Sequence, residues 1–283
     1  MNYPSTLACT FFILTVSITN AAQKTLQSFV ESGIVSAQII STGDHEGECL
    51  IVKARNQTDS SIDMIVLAGS IFLSVDSAQQ DIIITQDTEL RLAANQSGDF
   101  PLVGFCCQSQ NSAPSPHAAF TFGPSATGEL QQTAQFLNAH RDLPLSEQQH
   151  AIWVLSDCHP LSSIDQSNES TAELSSFVSQ VLNLPKPWYS THHRSSALQM
   201  FHPEVESVTG TMQFLVDDYD MVTVTIVNSS GRLIKILLDE SIYGPGTYDF
   251  PMRVVTDSWP KDEYTVEFES KTKGKLASYQ FTI

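Results

Sequence analysis

The side chains of this chain best suited to covalent chemistry are its thiols. Five cysteines are present, Cys9, Cys49, Cys106, Cys107 and Cys158. Cys9 lies in an apolar N-terminal run and is expected to leave with it. The other four are an even set, which in an exported chain points to disulfides, so Cys49, Cys106, Cys107 and Cys158 are disulfide candidates. Four cysteines allow three pairings, and the sequence does not choose among them. Cys106 and Cys107 are adjacent, so in a strand they face opposite sides and take different partners. Cys158-His159 with His192-His193 has donor atoms for zinc, but the spacing matches no compact ligand set, and no metal is expected. Asp217-Asp218-Tyr219-Asp220 lacks the glycine and the distal Glu of a calcium loop and reads as a solvated turn. His45, set among Asp44, Glu46 and Glu48, reads as an exposed turn residue.

These residues are held by elements of two textures. From Gly33 to about Phe122 the chain reads as strand and turn: 33–40, 48–55, 64–67, 71–75, 81–85, 89–93 and 100–108 are short runs rich in Ile, Val and Leu, bounded by Gly, Asp, Asn or Ser. Such spacing predicts an antiparallel sandwich or barrel. After Pro124 the period changes. Helices are expected over 129–140, 147–157 and 171–184, the second with Ser146 as cap and Gln149 at the capping-box position. Residues 190–207 are polar and read as a linker. Strand texture then returns at 211–216, 221–227, 232–238, 247–253, 264–269 and 277–283. The expected fold is mainly β with a helical segment: an N-terminal β-sandwich or barrel with helices, and a small C-terminal Ig-like β-sandwich. The division is 1–22 signal peptide, 23–189 first domain, 190–207 linker and 208–283 second domain.

Two segments then carry a resemblance. Gly104-Phe105-Cys106-Cys107-Gln108 resembles the aromatic-Cys-hydrophobic motif of bacterial surface thioester domains, with Cys107 in the hydrophobic place. Gln148-Gln149-His150-Ala151-Ile152-Trp153 is similar to the TQxAIW signature of that family, with Gln148 where Thr is usual. The resemblance covers at most Gly33 to about Pro185, and the segment between the two motifs is shorter than in well-studied members. It implies a thioester between the Cys106 thiol and the Gln149 side chain, an acyl electrophile open to attack by host amines. Phe105, Ile152 and Trp153 would keep water from it, and His150 would accept a proton from an incoming amine. In the last 75 residues or so, Val222 to Ile234, Pro245 to Phe250 and Glu263 to Phe268 resemble the Ig-like module related to the flagellar hook cap and to type IX secretion sorting domains, although the chain ends Phe281-Thr282-Ile283 rather than on a basic residue.

Charge and the N-terminus set location and partners. Lys+Arg 14 against Asp+Glu 31 gives a formal net charge of −17, which repels phosphate backbones, so no nucleic acid is expected. Leu7 to Ile18 is an apolar run of signal-peptide length, followed by Thr19-Asn20-Ala21-Ala22, but without a preceding Lys or Arg. A secreted or cell-surface protein with no transmembrane segment is expected. Its partners would be a protein or glycan surface ligand or envelope proteins. With no paired carboxylates, GxSxG elbow, HExxH or P-loop, the chain reads as no enzyme and needs no cofactor. A pocket joining His140, Asp157 and His159 would reopen that question. The two functional readings are an adhesion or interaction protein with an internal thioester, and a non-catalytic structural module of an envelope or filament with disulfides only.

Overall fold

The computed structural model describes residues 24–194 and 201–283. The expected signal peptide, with Cys9, lies outside the described residues. The described chain is mainly β, and its first part is a closed barrel of six strands.

The barrel is built from β1 (Val35–Ser41), β2 (Glu46–Asn56), β4 (Ser70–Ser74), β5 (Ile82–Ile84), β7 (Ser97–Cys106) and β8 (Ala119–Ser125), in the order β1-β2-β7-β5-β4-β8. β3 (Ile62–Val66) and β6 (Thr88–Leu92) form a separate two-stranded ribbon. Closure leaves the barrel strands without a free edge. β8 and the short helix α1 (Leu26–Glu31), capped by Thr25, were not legible as elements in the sequence. The barrel interior holds Cys49, Leu50, Val52, Phe72, Ile82, Ile84, Leu102 and Cys106.

Three further helices cover one side of the barrel: α2 (Gly128–Ala139), α3 (Leu145–Ser156) and α4 (Glu169–Val181). Their shared core includes Ala134, Leu137, Ala151, Ile152, Leu174 and Val178, together with Ile83, Phe105 and Cys107 from the barrel wall. β7 is therefore buried on both faces. Leu102 and Cys106 point into the barrel, whereas Phe105 and Cys107 point into the helical core, as period-2 alternation requires. The expected capping of α3 is not made. The helix begins two residues earlier, with Pro144 at the cap position, so Ser146 lies inside the first turn and Gln149 turns to another partner. α4 is capped by Asn168, whose side chain accepts from Thr171 N–H at 3.0 Å.

The C-terminal part has two sheets around one core. β13 (Gly246–Val255), β10 (Val205–Val216) and β9 (Tyr189–His193) form one, in that order. β12 (Leu233–Tyr243), β11 (Asp220–Asn228), β14 (Glu263–Ser270) and β15 (Gly274–Thr282) form the other. Val208, Met212, Phe214 and Val254 from the first meet Val222, Ile226, Tyr264, Phe268 and Phe281 from the second. The stretch read as a linker is partly strand: β9 and the start of β10 lie in it, paired from Tyr189↔Gly210 to His193↔Val205. Its polar Ser, Thr and His residues obscured the pattern, because their partners are polar groups on both sides of the seam.

One glycine fixes how β7 meets β5. A Cβ on Gly104 would lie 2.7 Å from Ile82 Cγ2 and 2.7 Å from the Ile83 carbonyl oxygen. Gly104→Ala is expected to cost about 1–3 kcal/mol through overpacking, read as a lowered midpoint in urea unfolding. A change below about 0.5 kcal/mol would show that the two strands are free to move apart.

Candidate functional site

The site forms where the last residue of β7 meets α3. Gln149 is almost wholly buried, and its carboxamide lies against the backbone of Cys106. Oε1 accepts from Cys106 N–H at 3.0 Å, and Nε2 donates to the Cys106 carbonyl at 2.8 Å. The pairing follows from strand geometry. Cys107 N–H donates to the Asp81 carbonyl at 2.9 Å on the β5 side, so the polar groups of Cys106 face the opposite side. β2 begins at Glu46, opposite Phe105, and offers Cys106 no strand partner. A primary carboxamide has one acceptor and a donor in nearly the geometry of a peptide group, so Gln149 continues the ladder where β2 has ended.

The other residues singled out in the two motifs are mostly buried. Phe105, Ala151 and Ile152 are fully buried, and Trp153 is nearly so. Gln148 is buried too, its amide donating to the Leu143 carbonyl at 2.8 Å. His150 is half-buried, with Nδ1 3.8 Å from Glu147 Oε2. Ser156 Oγ donates to the Cys107 carbonyl at 2.8 Å and fastens the far end of α3 to the same strand.

Cys49, Cys106, Cys107 and Cys158 are all free thiols in this structure, so none of the expected disulfides is made. Cys49 and Cys106 share the barrel core, Cys107 lies in the helical core, and Cys158 is exposed. Burial pushes the Cys49 and Cys107 thiols up to about 12, and it raises Cys106 further still, with Cys49 and Cys107 as lesser contributors. All three are held protonated at neutral pH, the weakly nucleophilic form.

A second group of polar side chains follows α3. Cys158 adopts a left-handed φ of 55°, and His159 N–H returns to the Trp153 carbonyl at 3.2 Å. This fold-back brings His159 and Asp157 to Ser109. Ser109 Oγ donates to the Asp157 carboxylate and lies 2.8 Å from His159 Nε2. The residue types are those of a hydrolase triad, but the roles are not. Asp157 bonds Ser109 directly rather than His159 Nδ1, which has no hydrogen-bond partner among the described residues, so the carboxylate does not orient the imidazole as it does in that triad. His140 is not part of this group; its Nδ1 sits 2.8 Å from the Phe136 carbonyl on α2.

The remaining sequence candidates resolve into local structure. Asp220 accepts from Ser270 and Thr272 hydroxyls, which lower its carboxyl to about 2, and Asp217 lies 3.5 Å from Lys273 Nζ. This acidic run ties β11 to the turn before β15. No group of three or more His, Cys, Asp or Glu side chains among the described residues is arranged to hold a metal. His159 and His193 do come together, around Phe201, as an aromatic cluster that sequence spacing had not revealed. No helix among the described residues is long and apolar enough to cross a membrane, a statement about helices only.

No protein-family model and no curated protein matches the chain. Among solved structures it is similar to a β-glucosidase from Kluyveromyces marxianus in complex with glucose, with a TM-score of 0.21 and 9% identity over 83% of this chain and 44% of that one. The chain thus spans less than half of that enzyme, and a likeness of this degree carries no argument about fold or activity.

Proposed function

We propose that this chain is a secreted or cell-surface attachment protein in which Cys106 and Gln149 are a thioester pair. The observation behind this reading is the buried contact between Gln149 and Cys106, residues 43 positions apart that the sequence motifs name together. In the bond-forming step the Cys106 Sγ attacks Gln149 Cδ, the Cδ–Nε2 bond breaks, and ammonia leaves with the thiol proton. A target amine then attacks Cδ, an amide forms, and the Cys106 thiol is regenerated. Phe105, Ile152 and Trp153 keep the bond from water until a target arrives. The C-terminal pair of sheets serves as an Ig-like spacer or docking module toward the envelope.

A second reading rests on the same contact. Both carboxamide atoms of Gln149 are already hydrogen-bonded to the Cys106 backbone, and the Cys106 side chain packs in the barrel core. Thioester formation therefore requires Cys106 to turn its Sγ toward α3. Without that rotation Gln149 is a structural clamp, and the chain is a non-catalytic envelope or filament module.

Intact mass separates the two. The attachment reading expects the purified protein to be one ammonia lighter than its free-thiol mass, with methylamine treatment adding one methylamine to that species. A full mass, unchanged by methylamine, leaves the clamp alone.

A further inference from the structure

Three histidines from three segments gather beside α3. His150 is on the helix, His159 follows it, and His193 ends β9. They surround Trp153 and Phe201, with ring centroids 6.0 Å apart for His150–Trp153, 5.4 Å for Trp153–His159, 4.1 Å for His159–Phe201 and 4.8 Å for His193–Phe201. Four of their ring nitrogens are buried without a hydrogen-bond partner among the described residues: His150 Nδ1, Trp153 Nε1, His159 Nδ1 and His193 Nε2. β9 belongs to the C-terminal sheet and α3 to the helical lobe, so the cluster bridges the two. Neutral hydrogen bonds continue the seam beside it. Ser190 Oγ accepts from Gln166 N–H at 3.1 Å and donates to the Ile164 carbonyl at 3.2 Å, and Ser162 and Thr191 hydroxyls lie 3.4 Å apart.

We infer that this cluster is an acid-operated clasp: neutral, its rings pack and hold the helical lobe on β9; protonated, like charges gathered in one apolar nest release it. The inference goes beyond the attachment reading and does not depend on the thioester.

The charged groups around the cluster do not neutralise it. Glu147 Oε2 is 3.8 Å from His150 Nδ1 but also accepts from Asp165 N–H at 2.7 Å. Asp157 is 3.6 Å from His159 Nε2 but accepts from Ser109. His193 Nδ1 lies 3.2 Å from the His202 carbonyl, and the charged groups bearing on the ring are His150, His159 and His192. His192 itself has Asp165 at 4.0 Å, and Arg194, next along the chain, pairs with Glu204 and Asp257. Burial, then repulsion from His150, lowers His193 to about 4. Burial is also the main cause that lowers His159, against the opposing pull of Asp157.

The sign follows from these directions. A histidine whose folded value lies below its free value of about 6.5 binds fewer protons in the closed seam than in the open one. The clasp is therefore at full strength above about pH 6.5 and weakens as pH falls toward about 4. His193 is partly exposed, so the full shift overstates the effect, and a roughly tenfold rise in opening by about pH 5 is the expected size.

Hydrogen exchange of the full chain at about pH 7.5 and about pH 5, corrected for intrinsic rates, tests the clasp. Amides of β9 and the C-terminal half of α3 should exchange about tenfold faster at the lower pH, while those of β11 and β14 keep their protection. The double variant His159→Gln/His193→Gln should lose this pH response. Equal protection at both pH values, or an unchanged response in the variant, overturns the proposal. Should the variant fail to fold, proton NMR titration of wild-type His159 and His193 decides. Ring signals titrating well below about 6.5 support the clasp, and signals titrating at that value overturn it.

Discussion

Phe105→Ala is expected to lower the unfolding free energy by about 3–5 kcal/mol. Phe105 is fully buried, and it is the large side chain by which β7 enters the helical core. Its neighbours on the strand, Gly104 and Cys106, face the barrel, so no adjacent residue can take its place. The void would lie against Ile83, Ala151 and Ile152, on elements pinned by strand pairing and by the Gln149 clamp, which limits collapse. The loss should also be uneven, loosening α3 before the barrel opens. Urea unfolding followed both by far-ultraviolet circular dichroism and by tryptophan fluorescence should show a lower midpoint, and Phe105→Leu should restore a large part of it. A destabilisation under about 1 kcal/mol would mean that the helices do not pack on β7 as described.

Gln149 is the second point of high leverage. Gln149→Leu keeps the volume but leaves Cys106 N–H and C=O buried without partners, an expected cost of about 2–4 kcal/mol. Gln149→Glu sharpens the test. A protonated carboxyl is neutral and has one donor and one acceptor, so it can make both bonds; a carboxylate cannot donate to the Cys106 carbonyl and is poorly solvated there. Burial would raise the folded pKa of the introduced carboxyl above its free value of about 4.3. Its stabilising contribution is then fully present below about pH 4.3 and is lost as pH rises through the raised value. The difference in unfolding free energy between variant and wild type should widen from about pH 4 to about pH 7, and a flat difference would place this side chain in water. Both variants also remove the ammonia deficit if a thioester forms, whereas the stability effects arise under either reading.

Much of the β texture was legible because the strands carry Ile, Val and Leu between turn residues, as at Ile82–Ile84 and Asp220–Asn228. The helices were legible from their period, with Ala134, Leu137, Leu174 and Val178 buried on the expected faces. β9 escaped because Tyr-Ser-Thr-His-His has no apolar alternation. Its identity comes from its pairing with β10, a long-range fact. Ser146 and Gln149 fit a capping box by spacing, but tertiary demand overrode the local option: Cys106 needed a partner where β2 had ended. Cys106 and Gln149 could be named from the sequence, and their contact could not. The histidine cluster was invisible for the same reason, since His150, His159 and His193 share no local pattern and meet only when β9 folds across.

That crossing has a consequence for inheritance. Because β9 leaves the helical lobe directly and supplies an edge strand of the C-terminal sheet, the two halves of this chain do not separate at the polar stretch between them. A recombination event that moved residues 208–283 alone would transfer a sheet with the flank of β10 uncovered, its row of backbone donors and acceptors open to any stray strand. The smallest portable unit carrying the C-terminal sheets therefore starts at or before Tyr189, not at the end of the polar stretch.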